Sequence, residues 1–437
     1  MATESPQGKI AKMAIEACVL SPAVASEGNV GGRGNGTQLN VTSGSVLPPP
    51  AALEENPVRR GKGRGNITHT NVVEGVGKGG RGNSRLTSDF FAHGVRSAYT
   101  ERYNNDLARL SARDDLPASA KWIDSHCHLE SILERTWRGG GKPQVLDNEP
   151  LVGLAELVAS WPSQLDGCIN ICAFRRPSNP KHPVARNSTE WKWLEEHLRH
   201  FEPECPYANK LWFSIGIHPH DAANWDRAAE ETVRHFAAHP KCVGIGECGV
   251  DFFKHDLREK ELQLRAFRAQ ASLSVELNKA LVIHARLVTK ANEDMFLHEM
   301  EQVLPVDHRI HIHCFSDSLA HAMDLCKRWP NLRIGFSGAI TFRDRGKGKG
   351  KGKAVKKGQD EEKKGEEHCR ELVQGIPLER LLIETDGPYM CPEPFRGQTA
   401  HPGHVHRIAE RIAEWKGVAL GLVMNATRAS TAAVYCI

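Results

Sequence analysis

No stretch of this 437-residue chain approaches the ~20 uninterrupted apolar residues that a membrane-crossing helix needs, which excludes a transmembrane protein. Paired cysteines are missing as well. The twelve cysteines are dispersed without a Cys-x-x-Cys, the closest spacing being Cys168 and Cys172, as expected of scattered buried thiols in a reducing compartment rather than a disulfide framework. A strong charge of one sign is also lacking: the formal charge of +4 establishes no nucleic-acid partner by itself, yet suits a phosphate-rich substrate. The N-terminus lacks a clean secretory signal, because Glu16 interrupts the short apolar run between Lys12 and the cleavage-like Ala23-Val24-Ala25. A cytoplasmic or nuclear protein is expected, with no membrane partner.

What is present divides at about residue 115. Residues 1–115 are rich in Gly, Ser, Asn, Pro and Arg with little sustained hydrophobic periodicity, which predicts a disordered tail without a core. Gly-Arg-Gly-Asn recurs there at Gly32–Asn35, Gly63–Asn66 and Gly80–Asn83. Such spacing belongs either to an RNA-contacting tail, in which each guanidinium reaches phosphate, or to a solvated linker with compositional bias.

From residue 116 to 437, short β-branched runs alternate with longer amphipathic stretches, the mark of repeated βα units. Candidate strands start at Trp122, Gly167, Leu211, Cys242, Ala280, Arg309, Leu332 and Leu381, and Lys260–Leu273 carries apolar residues at helical spacing. Eight units predict an α/β fold, a closed (β/α)8 TIM-type barrel. One segment departs from the pattern: 346–367 is nearly all Lys, Gly, Glu and Asp, and is expected to be a disordered surface insertion.

Polar residues cluster where barrel enzymes keep their chemistry, at the C-terminal ends of the strands. The first strand runs into Asp124-Ser-His126-Cys-His128, and a period of two points both imidazoles the same way. Alone, His-x-His is modest evidence. Glu247 follows the fourth strand, His284 the fifth, His313 the sixth and Asp386 the eighth. Four histidines and two carboxylates form a mixed N/O set suited to first-row divalent ions, large enough for two ions with a bridging carboxylate.

These residues sit in blocks that resemble the TatD family of metal-dependent deoxyribonucleases, within the wider amidohydrolase-like barrels. The blocks are Ile123–Leu129, Gly216–Asp221, Gly244–Phe253, Val282–Arg286, Ile312–Ser316, Phe336–Gly338 and Leu381–Tyr389, in order, and the resemblance runs from about Lys121 to the C-terminus. It implies that His126, His128 and Asp386 hold one ion, His284 and His313 the other, and that Glu247 lies between them. Three positions depart from the family: Asp317 replaces a common glycine, Ala400 a usual Asn, and Ser430 a customary Asn. None is a proposed ligand, so they bear on substrate fit.

The resulting expectation is a DNase hydrolysing phosphodiesters by activated water, with two divalent ions (Mg²⁺, Mn²⁺ or Zn²⁺). The catalytic residues are Asp386, as general base, and Glu247, while His220 and Arg286 hold the non-bridging phosphate oxygens. By family resemblance it would be a 3′–5′ exonuclease on single-stranded DNA or 3′ ends. His220 reads equally as a surface histidine after Pro219; Arg286, Arg343 and Arg396 fall in segments expected near the strand ends, where guanidiniums pair bidentately with phosphate, and each reads equally as an ordinary surface arginine; Trp212 reads as packed core rather than a base-stacking platform. Two rivals remain: hydrolysis of an amide, ester or lactone by the same chemistry, and an RNA-binding protein whose barrel is idle.

Overall fold

A computed structural model describes residues 95–137, 152–174, 189–253, 257–342 and 355–437. Most of the tail with its Gly-Arg-Gly-Asn repeats, the first part of the Lys/Gly insertion, and Arg343 lie outside the described residues. Within the described residues, Glu101–Ile437 fall in one compact unit, and residues 95–100 fall outside it.

Eight strands pair in chain order, every pair parallel: β1 (Trp122–Cys127), β2 (Leu165–Phe174), β3 (Leu211–Ile217), β4 (Cys242–Asp251), β5 (Ala280–Arg286), β6 (Ile310–His313), β7 (Leu332–Phe336) and β8 (Leu381–Ile383). A bridge between Cys127 and Gly387 joins the end of β8 to β1, and the Asp386 N–H donates to the His126 carbonyl at 2.9 Å. The expected barrel is therefore present. β4 and β5 run further than the sequence suggests, because pairing continues through Gly249 with His284 and Asp251 with Arg286. His284 thus lies within paired backbone, while Glu247 sits at the irregularity of β4 between the paired residues Ile245 and Cys248, which hold it from both sides.

Around the strands lie α1 (Val95–Ser111), α2 (Leu129–Trp137), α3 (Val152–Ala159), α4 (Thr189–His197), α5 (Arg227–Ala237), α6 (Leu257–Glu276), α7 (Lys290–Val303), α8 (Leu319–Arg328), α9 (Val355–Gly375), α10 (His406–Lys416) and α11 (Leu420–Tyr435). The strands are buried on both faces, so they read as apolar runs rather than alternating ones. The larger core fills the space between strands and helices, while Ile169, Ile171, Val243, Val282 and Leu382 form a second core with Val434 and Tyr435 from the end of α11. Trp212 packs against this second core, consistent with its reading as a packing residue.

Two elements fall where the sequence suggests none. Helix α1 lies inside the stretch expected to be a coreless tail, with Tyr103, Asp106 and Leu110 buried. Its anchor is polar: the Asp106 carboxylate accepts from His406 Nε2 at 2.9 Å and from Arg407 Nε at 3.0 Å, a bond that hydrophobic periodicity does not register. Helix α9 begins at Val355, within the expected 346–367 loop, since Lys, Glu and Gln favour helix and its last turns bury Leu372 and Val373.

Candidate metal centre

Helix α6 sets the ends of two site-bearing strands with two glutamines seven residues apart on one helical face. Gln270 Oε1 accepts from the Ile217 N–H at 2.7 Å where β3 ends, and Gln263 Oε1 accepts from the Asp251 N–H at 2.8 Å where β4 ends. Just before Glu247, Gly246 has φ +118°, and a Cβ there would lie 2.3 Å from the Val282 carbonyl, so only glycine lets β4 pass β5 at this point. Asp386 itself takes a left-handed φ of 49°, a conformation costly to a non-glycine residue and held by its backbone bond to His126.

All six sequence-derived ligand candidates converge, and the two oxygens of buried Glu247 divide them. Oε2 lies 3.6 Å from His126 Nε2 and 3.7 Å from His128 Nε2, and those two nitrogens stand 3.6 and 3.5 Å from Asp386 Oδ1. Oε1 lies 2.9 Å from His313 Nε2 and 3.0 Å from His284 Nδ1, which are 3.0 Å from each other. Ligand atoms about 2.1 Å from an ion stand roughly 3.4 Å apart when it is held tetrahedrally and roughly 3.0 Å apart when it is held octahedrally, so the first set has separations near the former and the second near the latter.

Protonation and hydrogen bonding agree with that use. His128 Nδ1–H donates to the Ile171 carbonyl at 2.9 Å, which leaves the Nε2 lone pair facing the carboxylates. Both ring nitrogens of His126 and Asp386 Oδ1 are buried without a hydrogen-bond partner, a costly state unless a cation takes them up. Burial, aided by the nearby His313, keeps His126 well below the usual histidine range, hence neutral and able to ligate. Burial also pulls His313 down, but the adjoining Glu247 carboxylate outweighs it and lifts the imidazole to about 9. Burial raises the Cys314 thiol well above its ordinary range, and Cys314 stands with His313 and Glu384 in a further group of donor atoms close enough to share an ion.

His220 and Arg286 do not stand alone at the mouth. Asp251 Oδ2 accepts from His220 Nε2 at 2.9 Å and lies 3.5 Å from Arg286 Nη1 and from His284 Nε2. Burial would raise the Asp251 carboxyl, but His220 and His284 hold it far below the carboxylate range. The sequence reading missed Asp251 as a participant although its block was recognised. It also missed His218, whose Nε2 lies 3.4 Å from Glu247 Oε1 and whose Nδ1 accepts from the His220 N–H. The second His-x-His, after β3, was the available signal.

A further missed pair lies beneath the ligands. His311 Nε2 is 2.9 Å from Glu384 Oε2, His311 Nδ1 is 2.7 Å from the Tyr435 hydroxyl, and Glu384 Oε1 accepts from the Cys314 N–H at 2.5 Å. Gly335 makes room for it: a Cβ there would lie 2.4 Å from Glu384 Oε2.

A parallel eight-stranded barrel carrying clustered histidines and carboxylates at the C-terminal ends of its strands defines a metal-dependent hydrolase. The chain belongs to the TatD related DNase family, whose profile matches residues 123–436. It is 29% identical over 320 residues to the human 3′-5′ RNA nuclease TATDN2, an alignment covering 72% of this chain and 35% of that protein. The chain thus spans about a third of its human relative. With the 3′-5′ ssDNA/RNA exonuclease TatD of Escherichia coli it shares 32% identity over 250 residues, 56% of this chain and 83% of the other. A TatD family hydrolase structure from Entamoeba histolytica matches at TM-score 0.53 and 17% identity, covering 73% of this chain and 99% of that one, a likeness of fold.

Proposed function

We propose that this chain is a two-metal 3′–5′ exonuclease acting on single-stranded DNA or free 3′ ends. The observation that carries the reading is the division of histidine sets between the two oxygens of Glu247, a bridging arrangement suited to two ions. His126, His128 and Asp386 would hold one ion and His284 and His313 the other, as Mg²⁺, Mn²⁺ or Zn²⁺. Bound there, the ions would lower the pKa of coordinated water and neutralise charge on the phosphoryl oxygens. Asp386 orients the attacking water and accepts its proton, while Glu247 keeps the two ligand sets in register. Asp251 aims His220 and Arg286 at the non-bridging oxygens, where a guanidinium can pair bidentately.

The relatives' names support nucleic acid as substrate and leave DNA and RNA both as arms of the test. RNA contact by the tail and a cytoplasmic or nuclear location belong to the same proposal. Among the described residues no helix is long and apolar enough to cross a membrane.

The test strips the full chain of metal and follows end-labelled single-stranded DNA and RNA with each ion restored. Metal-dependent release of mononucleotides is expected from the wild type and not from His126→Ala/His128→Ala. Asp386→Asn should lower turnover at least about a hundredfold while the protein stays folded; near-normal rates would remove its role as base. Stoichiometric metal binding without cleavage of either polymer would shift the reading to carbonyl ester or lactone hydrolysis.

A further inference from the structure

The barrel mouth carries two aromatic rings paired with arginines, on different sides of the ligand cluster. Phe253, just past β4, is 55% exposed, unusual for so large an apolar side chain, and the Arg286 guanidinium at the end of β5 lies 5.8 Å from its ring centroid. Phe342, just past the short turn after β7, is half-buried, and the exposed Arg396 from the segment after β8 lies 4.1 Å over its ring. In a closed ring of eight strands, the β4–β5 edge and the β7–β8 edge are about three strands apart, so the two pairs lie across the mouth from each other.

Both rings are tied to the site. The Phe253 N–H donates to Asp251 Oδ1 at 3.1 Å, the carboxylate that also holds His220 and contacts Arg286 and His284. On the other side, the Thr341 hydroxyl donates to the Gly338 carbonyl at 2.7 Å and accepts from the Glu393 N–H at 2.9 Å. That joins the segment bearing Phe342 to the one that runs from Asp386 to Arg396.

An exposed ring near a guanidinium, as at Phe253, suits a nucleobase attached to a phosphate, with the ring stacking and the cation meeting the backbone; at Phe342 the guanidinium lies over the ring, so a base there meets the exposed Arg396 plane that the ring supports. Resting on the nuclease reading above, we infer that Phe253 and the Arg396 plane over Phe342 are base-stacking platforms, each taking one of the two nucleosides that flank the scissile phosphate. Stacking accepts any base, so the site would select single strands, whose bases are free to turn outward, without selecting sequence.

The test is a cycle using the metal-loaded full chain and single-stranded oligonucleotides, either intact or abasic at one of the two 3′-terminal positions. Phe253→Ala and Phe342→Ala should each lower kcat/KM on the intact strand about tenfold, chiefly through KM. For the matching abasic position, the variant should lose little beyond what the wild type already loses. Phe253→Trp should restore the rate on the intact strand, and melting curves will confirm that the variants fold. Losses that multiply independently on intact and abasic strands, or no loss at all, would overturn the inference. If the wild type degrades no oligonucleotide, the nuclease reading itself fails and takes this inference with it.

Discussion

At the scale of single residues, the positions that leave the family pattern are explained by their surroundings. The Ser430 hydroxyl donates to the Glu379 carbonyl at 2.8 Å, and Ala400 is fully buried with its N–H donating to the Pro388 carbonyl at 3.2 Å, packed against Gly387 beside Asp386. Asp317 is more consequential. Its Oδ1 accepts from the Leu287 N–H, but Oδ2 is buried without a partner, and burial pushes the carboxyl up to about 7. A carboxyl raised above its unfolded value contributes stability below about pH 4 and loses it as the pH rises through 7. Asp317→Asn keeps the shape and the Leu287 bond and cannot ionise. The variant should therefore be more stable than wild type at pH 8, by on the order of 2 kcal/mol, with the gain shrinking at pH 5. Melting curves at the two values decide it, and an equal gain at both would rule out the ionisation account.

At the scale of elements, α1 shows how a helix can be hidden from a pattern search. Its buried Asp106 meets His406, Arg407 and Arg109, and burial, which would raise the carboxyl, is outweighed by those partners, so it stays low and ionised. Removing one member of a buried charged set leaves the others uncompensated. Asp106→Ala should cost about 3 kcal/mol in denaturant unfolding; a loss under ~1 kcal/mol would mean that α1 is held by its apolar contacts instead. The strands were legible because burial on both faces writes them as apolar runs, and β3 and β7 match their expected limits. The ends of β4 and β5 were not legible, since their last pairs depend on which strand lies alongside rather than on hydrophobicity.

At the scale of the whole molecule, the ligand cluster joins strands from around the ring, so binding an ion should stabilise the barrel as a unit. An ion at a hundred times its Kd adds about 2.7 kcal/mol to the folded state, which for a domain this large is a rise in Tm of roughly 5 °C or more. Mn²⁺ or Zn²⁺ added to chelator-treated protein should produce that rise, and His126→Ala/His128→Ala should abolish it. A Tm indifferent to every divalent ion would argue against a metal centre. The opposite end of the barrel interior is filled by the chain's last helix, where Tyr435 reaches His311.

The sequence by itself determined the barrel and the identities of the six converging side chains, because strand periodicity is local and a titratable residue at a strand's end leaves a local signature. Only the tertiary structure decided which oxygen of Glu247 faces which histidine set, that Asp251 links His220, His284 and Arg286, and that Tyr435 reaches beneath the ligands from the far end of the chain. Those relations depend on which strands become neighbours around the closed ring and on where α11 returns to it, distances through space that no spacing along the chain encodes.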